Sequence, residues 1–137
     1  KIFTALKNNL NIIFCIGENK NEKRKKLNLK LLKKQISNVL KKNYNLKKII
    51  IAYEPVWSIG TGKVPKSKEL QKTAFLIKKF LKSRFRGKYN FKLLYGGSVD
   101  NKSIHNFKLI KELDGFLIGG ASKSSKKFID IIRNFYK

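Results

Sequence analysis

Four short apolar runs, each closed by a glycine or a carboxylate, limit this chain to a small set of folds. The closing residues are Gly17, Glu54, Gly96 and Gly119, and helical patterns of apolar residues spaced by lysines separate them. Short buried strands that alternate with amphipathic helices form parallel βαβ units with right-handed crossovers. The sequence therefore predicts an α/β fold with four parallel strands, either a small doubly wound sheet or half of an eight-stranded β/α barrel.

The element boundaries follow from the same patterns. Ser67 is expected to cap a long helix, and Gly87 to follow its end in the left-handed conformation that glycine adopts most easily. Residues 19–27 are polar and are predicted to form a loop that leads into a helix. The predicted strands cover 10–16, 49–53, 91–95 and 116–118, and the predicted helices cover 3–7, 27–40, 67–86, 104–110 and 128–135.

The charge of the chain is strongly basic, with 33 Lys and Arg against 8 Asp and Glu and a formal net charge of +25. Twenty-nine of these cations are lysines spread along the whole chain, and only four are arginines, the residue suited to bidentate phosphate and base contacts. We therefore expect weak polyanion binding at low salt but no specific nucleic-acid partner.

The remaining composition points to a reducing, non-membrane setting. No apolar run approaches the roughly 18 residues of a membrane span. Cys15 is the single cysteine, so an internal disulfide is excluded and a cytoplasmic location is the expectation. Because Cys15 lies in an apolar strand, we expect a buried and inert thiol.

Residues 49–63 combine a buried strand, a carboxylate and a glycine loop. The strand ends at Glu54, Pro55 stops it, and a loop with Gly60 and Gly62 follows. The carboxyl ends of parallel strands meet at the ligand crevice of a β/α fold. A buried carboxylate without a partner is costly, so Glu54 calls for a functional explanation.

Glycine-bearing turns follow three of the predicted strands, at 58–62, 96–98 and 119–122. Glycine allows the backbone to approach a ligand closely, and its N–H groups can bind an anion. The three turns together predict a phosphate cradle at one edge of the sheet. Neither a dinucleotide fingerprint nor a GxxxxGK[ST] loop is present, and we expect neither a cofactor nor a metal.

These segments resemble one known family, the triosephosphate isomerases. Residues 52–57 (AYEPVW) and 59–63 (IGTGK) are similar to its catalytic strand and lid. Residues 15–18 (CIGE), 94–99 (LYGGSV) and 119–122 (GGAS) are similar to its later strand ends, in the same order and spacing. The resemblance covers the whole chain but only strands five to eight of the family's barrel. It implies that residues 1–137 form a (βα)4 half of a TIM (β/α)8 barrel, the C-terminal half, with the N-terminal half absent.

The resemblance also implies an activity, the cofactor-free interconversion of dihydroxyacetone phosphate and D-glyceraldehyde 3-phosphate. Glu54 would shuttle the proton between C1 and C2 through an enediolate. The other implied roles are phosphate binding by the N–H groups of Gly60, Ser98, Gly119 and Gly120, a lid and hinge formed by Pro55, Val56, Trp57, Ile59, Thr61, Gly62 and Lys63, and lid support from Glu18, Tyr53, Tyr95 and Leu117.

The sequence departs from the family in two ways. Pro65 stands where the family often has an N–H that donates to the tyrosine matching Tyr95, and proline has none. The family's substrate-binding lysine follows strand one and its electrophilic histidine follows strand four, and neither segment is present. The single histidine, His105, is predicted to be an ordinary helix residue. We therefore expect these residues alone to be inactive or nearly so.

Two other functions remain open. A non-catalytic phosphate- or polyanion-binding half-barrel could close by self-association through its open strand edges, at 10–16 and 116–118. Another phosphate-binding β/α barrel enzyme is the third reading, which the Glu54 lid motif disfavours. The family is usually a homodimer with contacts mostly in the other half, so this chain gives no support for dimerisation.

Overall fold

The four strands of the sheet lie side by side in the order in which they occur in the sequence. The computed structural model describes all residues from Lys1 to Lys137. Its strands are β1 (Ile12–Ile16), β2 (Ile49–Tyr53), β3 (Leu93–Tyr95) and β4 (Gly115–Phe116), all parallel and in the order β1-β2-β3-β4. Strand order in a doubly wound sheet reverses at a switch point, and here it does not. The α/β prediction is confirmed, and the sheet is of the half-barrel kind.

The helices alternate with the strands as predicted, and two short helices, at 20–24 and 120–123, are additional. They are α1 (Ile2–Lys7), α2 (Lys20–Arg24), α3 (Asn28–Val39), α4 (Ser67–Arg84), α5 (Ser103–Phe107) and α6 (Ser125–Tyr136), with a 3-10 helix over Gly120–Lys123.

The loop predicted over 19–27 was wrong for its first part, which forms α2. Asn19 accepts hydrogen bonds from the N–H groups of Asn21 and Glu22, and the Glu22 carboxylate accepts the Asn19 N–H at 2.7 Å. This capping box stabilises a short helix that has no apolar stripe. The helix predictions rested on such stripes, so they missed α2.

The ends of α4 test two further expectations. The helix begins at Ser67 itself, with Lys66 at the N-cap and no side-chain cap, so the prediction of a Ser67 cap was wrong. Gly87 has a φ of +69° and its N–H donates to the Lys82 carbonyl at 2.9 Å, which confirms the left-handed glycine after the helix.

The core lies between one face of the sheet and the helices. Its centre is made by fully buried aliphatic and aromatic side chains from both layers, including Leu32, Ile36, Ile51, Ile77, Leu93 and Tyr95. No helix combines the length and the apolar composition that a membrane crossing requires.

The other face of the sheet is open at β1. Ile13 is 48% exposed there, and Cys15, two residues further along, is exposed as well. The expectation of a buried Cys15 was wrong, because side chains alternate along a strand and Cys15 faces away from the helical layer. Partial burial, and secondarily the neighbouring Glu54 carboxylate, raise the pKa of the Cys15 thiol to about 11. The thiol is therefore protonated near neutral pH and is a poor nucleophile.

Candidate active site

Glu54 is held where three strand ends converge. Its N–H donates to the carbonyl of Ile16 at 2.7 Å, and its half-buried side chain lies against Gly96. A Cβ at Gly96 would stand 2.6 Å from Glu54 Oε1, and one at Gly17 would overlap the Glu54 carbonyl. Only glycine at these two positions lets the ends of the three strands pack this closely, so the backbone sets the position of the carboxylate.

A cavity of about 530 Å³ opens above these strand ends. Eight of the predicted site residues line it, together with Lys127 from α6. The eight are Glu54, Ile59, Gly60, Gly62, Ser98, Leu117, Gly119 and Gly120.

Three of the four N–H groups predicted to bind phosphate are free within the chain. Gly60, Gly119 and Gly120 donate no hydrogen bond from their N–H groups to any protein acceptor, and Gly60 adopts a φ of +66°. The fourth, the N–H of Ser98, donates to Ser58 Oγ at 3.1 Å. The cavity therefore presents backbone donors opposite a carboxylate, an arrangement suited to an anionic ligand.

Residues 55–65, the segment predicted to act as a lid, are called the lid below. Glu18 holds the first residues of this segment in place. This carboxylate is 1% exposed and accepts hydrogen bonds from the Tyr53 hydroxyl at 3.1 Å and Trp57 Nε1 at 2.9 Å. The Val56 N–H donates to the Glu18 carbonyl at 2.9 Å. Burial, and then the Glu18 charge, raise the pKa of Tyr53 well above its usual range, so that this phenol remains a donor.

The rest of the lid is tied to itself and to the turn after β3. Thr61 Oγ1 donates to the Trp57 carbonyl at 3.1 Å and accepts the Lys63 N–H at 3.2 Å. The Gly62 N–H donates to Ser98 Oγ at 3.2 Å, and Ser98 Oγ donates to the Ser58 carbonyl at 2.5 Å. The lid thus lies on the turn that carries Ser98.

The sequence reasoning missed two residues at this site. Ser58 belongs to the lid and is fully buried, and its hydroxyl contacts Tyr95 and Lys63 as well as Ser98. Lys127 lines the cavity, but nothing in the sequence separates it from the other lysines. A hydroxyl inside a mostly apolar lid was the available signal for Ser58.

His105 and a possible metal site are the other candidates to consider. His105 is exposed on α5 and does not line the cavity, which agrees with its predicted place as a helix residue. No group of three or more His, Cys, Asp or Glu side chains could hold a metal ion. What the site offers is a strand-end carboxylate, Glu54, in the same cavity as three backbone N–H groups without a protein acceptor, a combination suited to moving a proton within an anionic substrate.

The chain was compared with known families, proteins and structures. A family model described as Triosephosphate isomerase matches residues 1–135. Triosephosphate isomerase of Yarrowia lipolytica is 38% identical over 131 residues, which are 95% of this chain and 53% of that protein. Its Saccharomyces cerevisiae counterpart is 37% identical over 132 residues, again 95% of this chain and 53% of the relative. The chain therefore spans about half the length of the curated relatives it matches.

A solved structure gives the same result for the fold. The crystal structure of triosephosphate isomerase from Bartonella henselae matches 100% of this chain and 55% of its own, with a TM-score of 0.86 and 31% identity. The predicted fold class, a (βα)4 half of a TIM barrel, is confirmed by this match.

Proposed function

We propose, because this chain belongs to the triosephosphate isomerase family, that it carries the proton-transferring half of an isomerase site for triose phosphates. In that role residues 1–137 are the C-terminal half of the barrel, and the reaction belongs to glycolysis and gluconeogenesis in the cytoplasm. The substrate is dihydroxyacetone phosphate or D-glyceraldehyde 3-phosphate, and the reaction uses no cofactor.

The chemistry assigned to Glu54 is a proton shuttle. Its carboxylate takes a proton from C1 of dihydroxyacetone phosphate, which leaves an enediolate with its charge on O2. A proton then has to move from O1 to O2, and Glu54 returns the first proton to C2 to give the aldehyde. Glu54 is half-buried at the wall of the cavity, where a bound substrate would meet its carboxylate. The N–H groups of Gly60, Gly119 and Gly120 hold the phosphate, while Ile59 and Leu117 keep water from the enediolate.

One observation carries this proposal: Glu54 shares a cavity with three backbone N–H groups that no protein acceptor uses. The test is a covalent chimera in which the N-terminal half of the Saccharomyces cerevisiae relative precedes these 137 residues. We expect the chimera to isomerise glyceraldehyde 3-phosphate in a coupled assay. A folded, phosphate-binding chimera without turnover would contradict the proposal.

Gly96→Ala tests whether the glycine contact sets the position of the base. The new Cβ would lie 2.6 Å from Glu54 Oε1 and 2.7 Å from its Cγ, so the carboxylate has to move. We expect kcat of the chimera to fall about 10-fold to 100-fold, because catalytic geometry tolerates little displacement. Gly115→Ala is the matched control, since its nearest neighbour is the flexible end of Leu94 at 3.2 Å. Equal kcat in the two variants would refute the positioning argument.

Lys127→Gln tests the cation at the cavity wall. Lys127 is exposed, so the expected effect is a rise in KM of about threefold to fivefold, with kcat unchanged and a weaker dependence on salt. The adjacent Lys126 is also exposed but does not line the cavity, so Lys126→Gln serves as the control. If both variants raise KM equally, the effect belongs to the overall charge of the chain and not to the site.

A second candidate function is a self-associating, non-catalytic phosphate-binding half-barrel. It is favoured by the open face at β1, where Ile13 and Cys15 are exposed, and by the unpaired edges of β1 and β4. This candidate predicts a dimer and phosphate binding by the chain alone, with no isomerase activity in the chimera.

A further inference from the structure

We propose that the Ser58 hydroxyl is the positioning group that latches the lid, in place of the backbone N–H that Pro65 lacks. The inference rests on the proposed function, since it concerns the lid of that site. Its starting point is a side chain that is fully buried, although it belongs to a loop whose neighbours Ile59 and Gly60 are exposed.

The Ser58 hydroxyl joins three parts of the molecule. Its Oγ lies 2.5 Å from the Lys63 carbonyl at the second hinge, 3.1 Å from the Tyr95 hydroxyl at the end of β3, and 3.1 Å from the Ser98 backbone nitrogen. The hydroxyl therefore connects both ends of the lid to each other and to the sheet.

The direction of these hydrogen bonds follows from counting protons. A serine hydroxyl has one proton and two lone pairs. The Lys63 carbonyl can only accept, so it takes the single proton of Ser58. The two lone pairs then accept from the Ser98 N–H and the Tyr95 hydroxyl, which assigns Tyr95 as the donor.

Tyr95 is able to act as that donor at any working pH. It is fully buried, and this burial is the main reason that its pKa is raised to about 12 despite the bond to Ser58. Pro65 could not take part in a hydrogen bond to the Tyr95 hydroxyl as a backbone donor, because proline carries no N–H. Tyr95 therefore donates its hydroxyl proton to Ser58, whereas it would accept a hydrogen bond if a backbone N–H of the hinge were its partner.

Gly97 makes room for this cluster. A Cβ at position 97 would lie 2.7 Å from Ser58 Oγ and would overlap the Tyr95 hydroxyl. The two hydroxyls therefore occupy a space that exists only because residue 97 has no side chain, which fixes their mutual approach.

Ser58→Ala in the chimera removes the latch. We expect kcat to fall about 10-fold to 100-fold, because the lid no longer holds its geometry over the base. Hydrogen exchange at the amides of Gly62 and Ser98, measured by mass spectrometry, is expected to accelerate in parallel. Ser67→Ala is the matched control, since the Ser67 side chain does not cap α4.

The decisive variant is the double substitution Ser58→Ala/Pro65→Ala. Alanine at 65 supplies an N–H that can donate to Tyr95, so we expect kcat to return to within about threefold of the parent chimera. Replacing a buried loop proline by alanine otherwise tends to lower stability, so a loss of activity caused by general destabilisation would not be rescued.

The outcomes separate the latch from the function on which it rests. An active chimera whose kcat is unchanged by Ser58→Ala, or a double variant no better than the single one, overturns the latch alone. If Ser58→Ala does not fold, Tyr95→Phe removes the same bond, and unchanged kcat in that variant overturns it equally. A parent chimera that is folded and binds phosphate but is inactive refutes the isomerase proposal, while the Gly62 and Ser98 exchange rates still support or overturn the latch.

Discussion

Purified alone, these 137 residues are expected to show no measurable isomerase turnover. The cavity supplies a base, but its lining contains no histidine and a single lysine, Lys127. His105 is exposed on α5 away from the cavity, and Lys127 lines the cavity together with Gly119 and Gly120, the glycines proposed to bind phosphate. Proton abstraction would leave an enediolate without charge stabilisation.

The size of the loss can be bounded from transition-state stabilisation. Removing one oxyanion-stabilising donor typically costs about 10²-fold to 10³-fold in kcat. If two such groups are missing and their effects add, the rate falls by roughly 10⁴-fold or more. The control is the covalent chimera at the same concentration, and circular dichroism shows whether the isolated chain is folded. Measurable turnover by the folded isolated chain would contradict the expectation.

The same preparation separates the two candidate functions. Sedimentation gives the oligomeric state, and calorimetry with inorganic phosphate gives binding. An inactive chain that becomes active in the chimera supports the isomerase proposal, whereas a phosphate-binding dimer whose chimera stays inactive supports the self-associating half-barrel.

The fold was predictable because its signals are local. The apolar run Ile49–Tyr53 forms a strand with those bounds, and the apolar spacing over 27–40 forms α3. The errors have different causes. The helix α2 depends on a capping box, and the exposure of Cys15 depends on which face of β1 the helices cover, which the strand pattern does not state.

The candidate site was predictable in part. Glu54 and the glycine turns stand at strand ends, and strand ends of a parallel sheet meet in space. Ser58 acquires its role from contacts with Tyr95, 37 positions away, and Ser98, 40 positions away. No helical or strand period relates residues at such separations, so only the folded structure shows that the Ser58 hydroxyl reaches both of them.

Glu54→Asp in the chimera is expected to lower kcat by about 100-fold or more, equivalent to about 2.7 kcal/mol of transition-state stabilisation. The substitution removes one methylene and withdraws the carboxylate from its place against Gly96, while its charge remains. Because Glu54 is only half-buried and forms no ion pair, the free energy of unfolding should change by less than about 1 kcal/mol.

Glu69→Asp is the matched control for that substitution. Glu69 lies in the first turn of α4, where its exposed carboxylate pairs with Lys23 at 3.1 Å, and it does not line the cavity. We expect this variant to keep the parent kcat. Activity that survives Glu54→Asp would mean that another group removes the proton, whereas equal losses in both variants would point to a general sensitivity to shortened carboxylates. A selective loss at position 54, with thermal unfolding unchanged, would assign the proton transfer to the strand-end carboxylate that Gly96 holds in place.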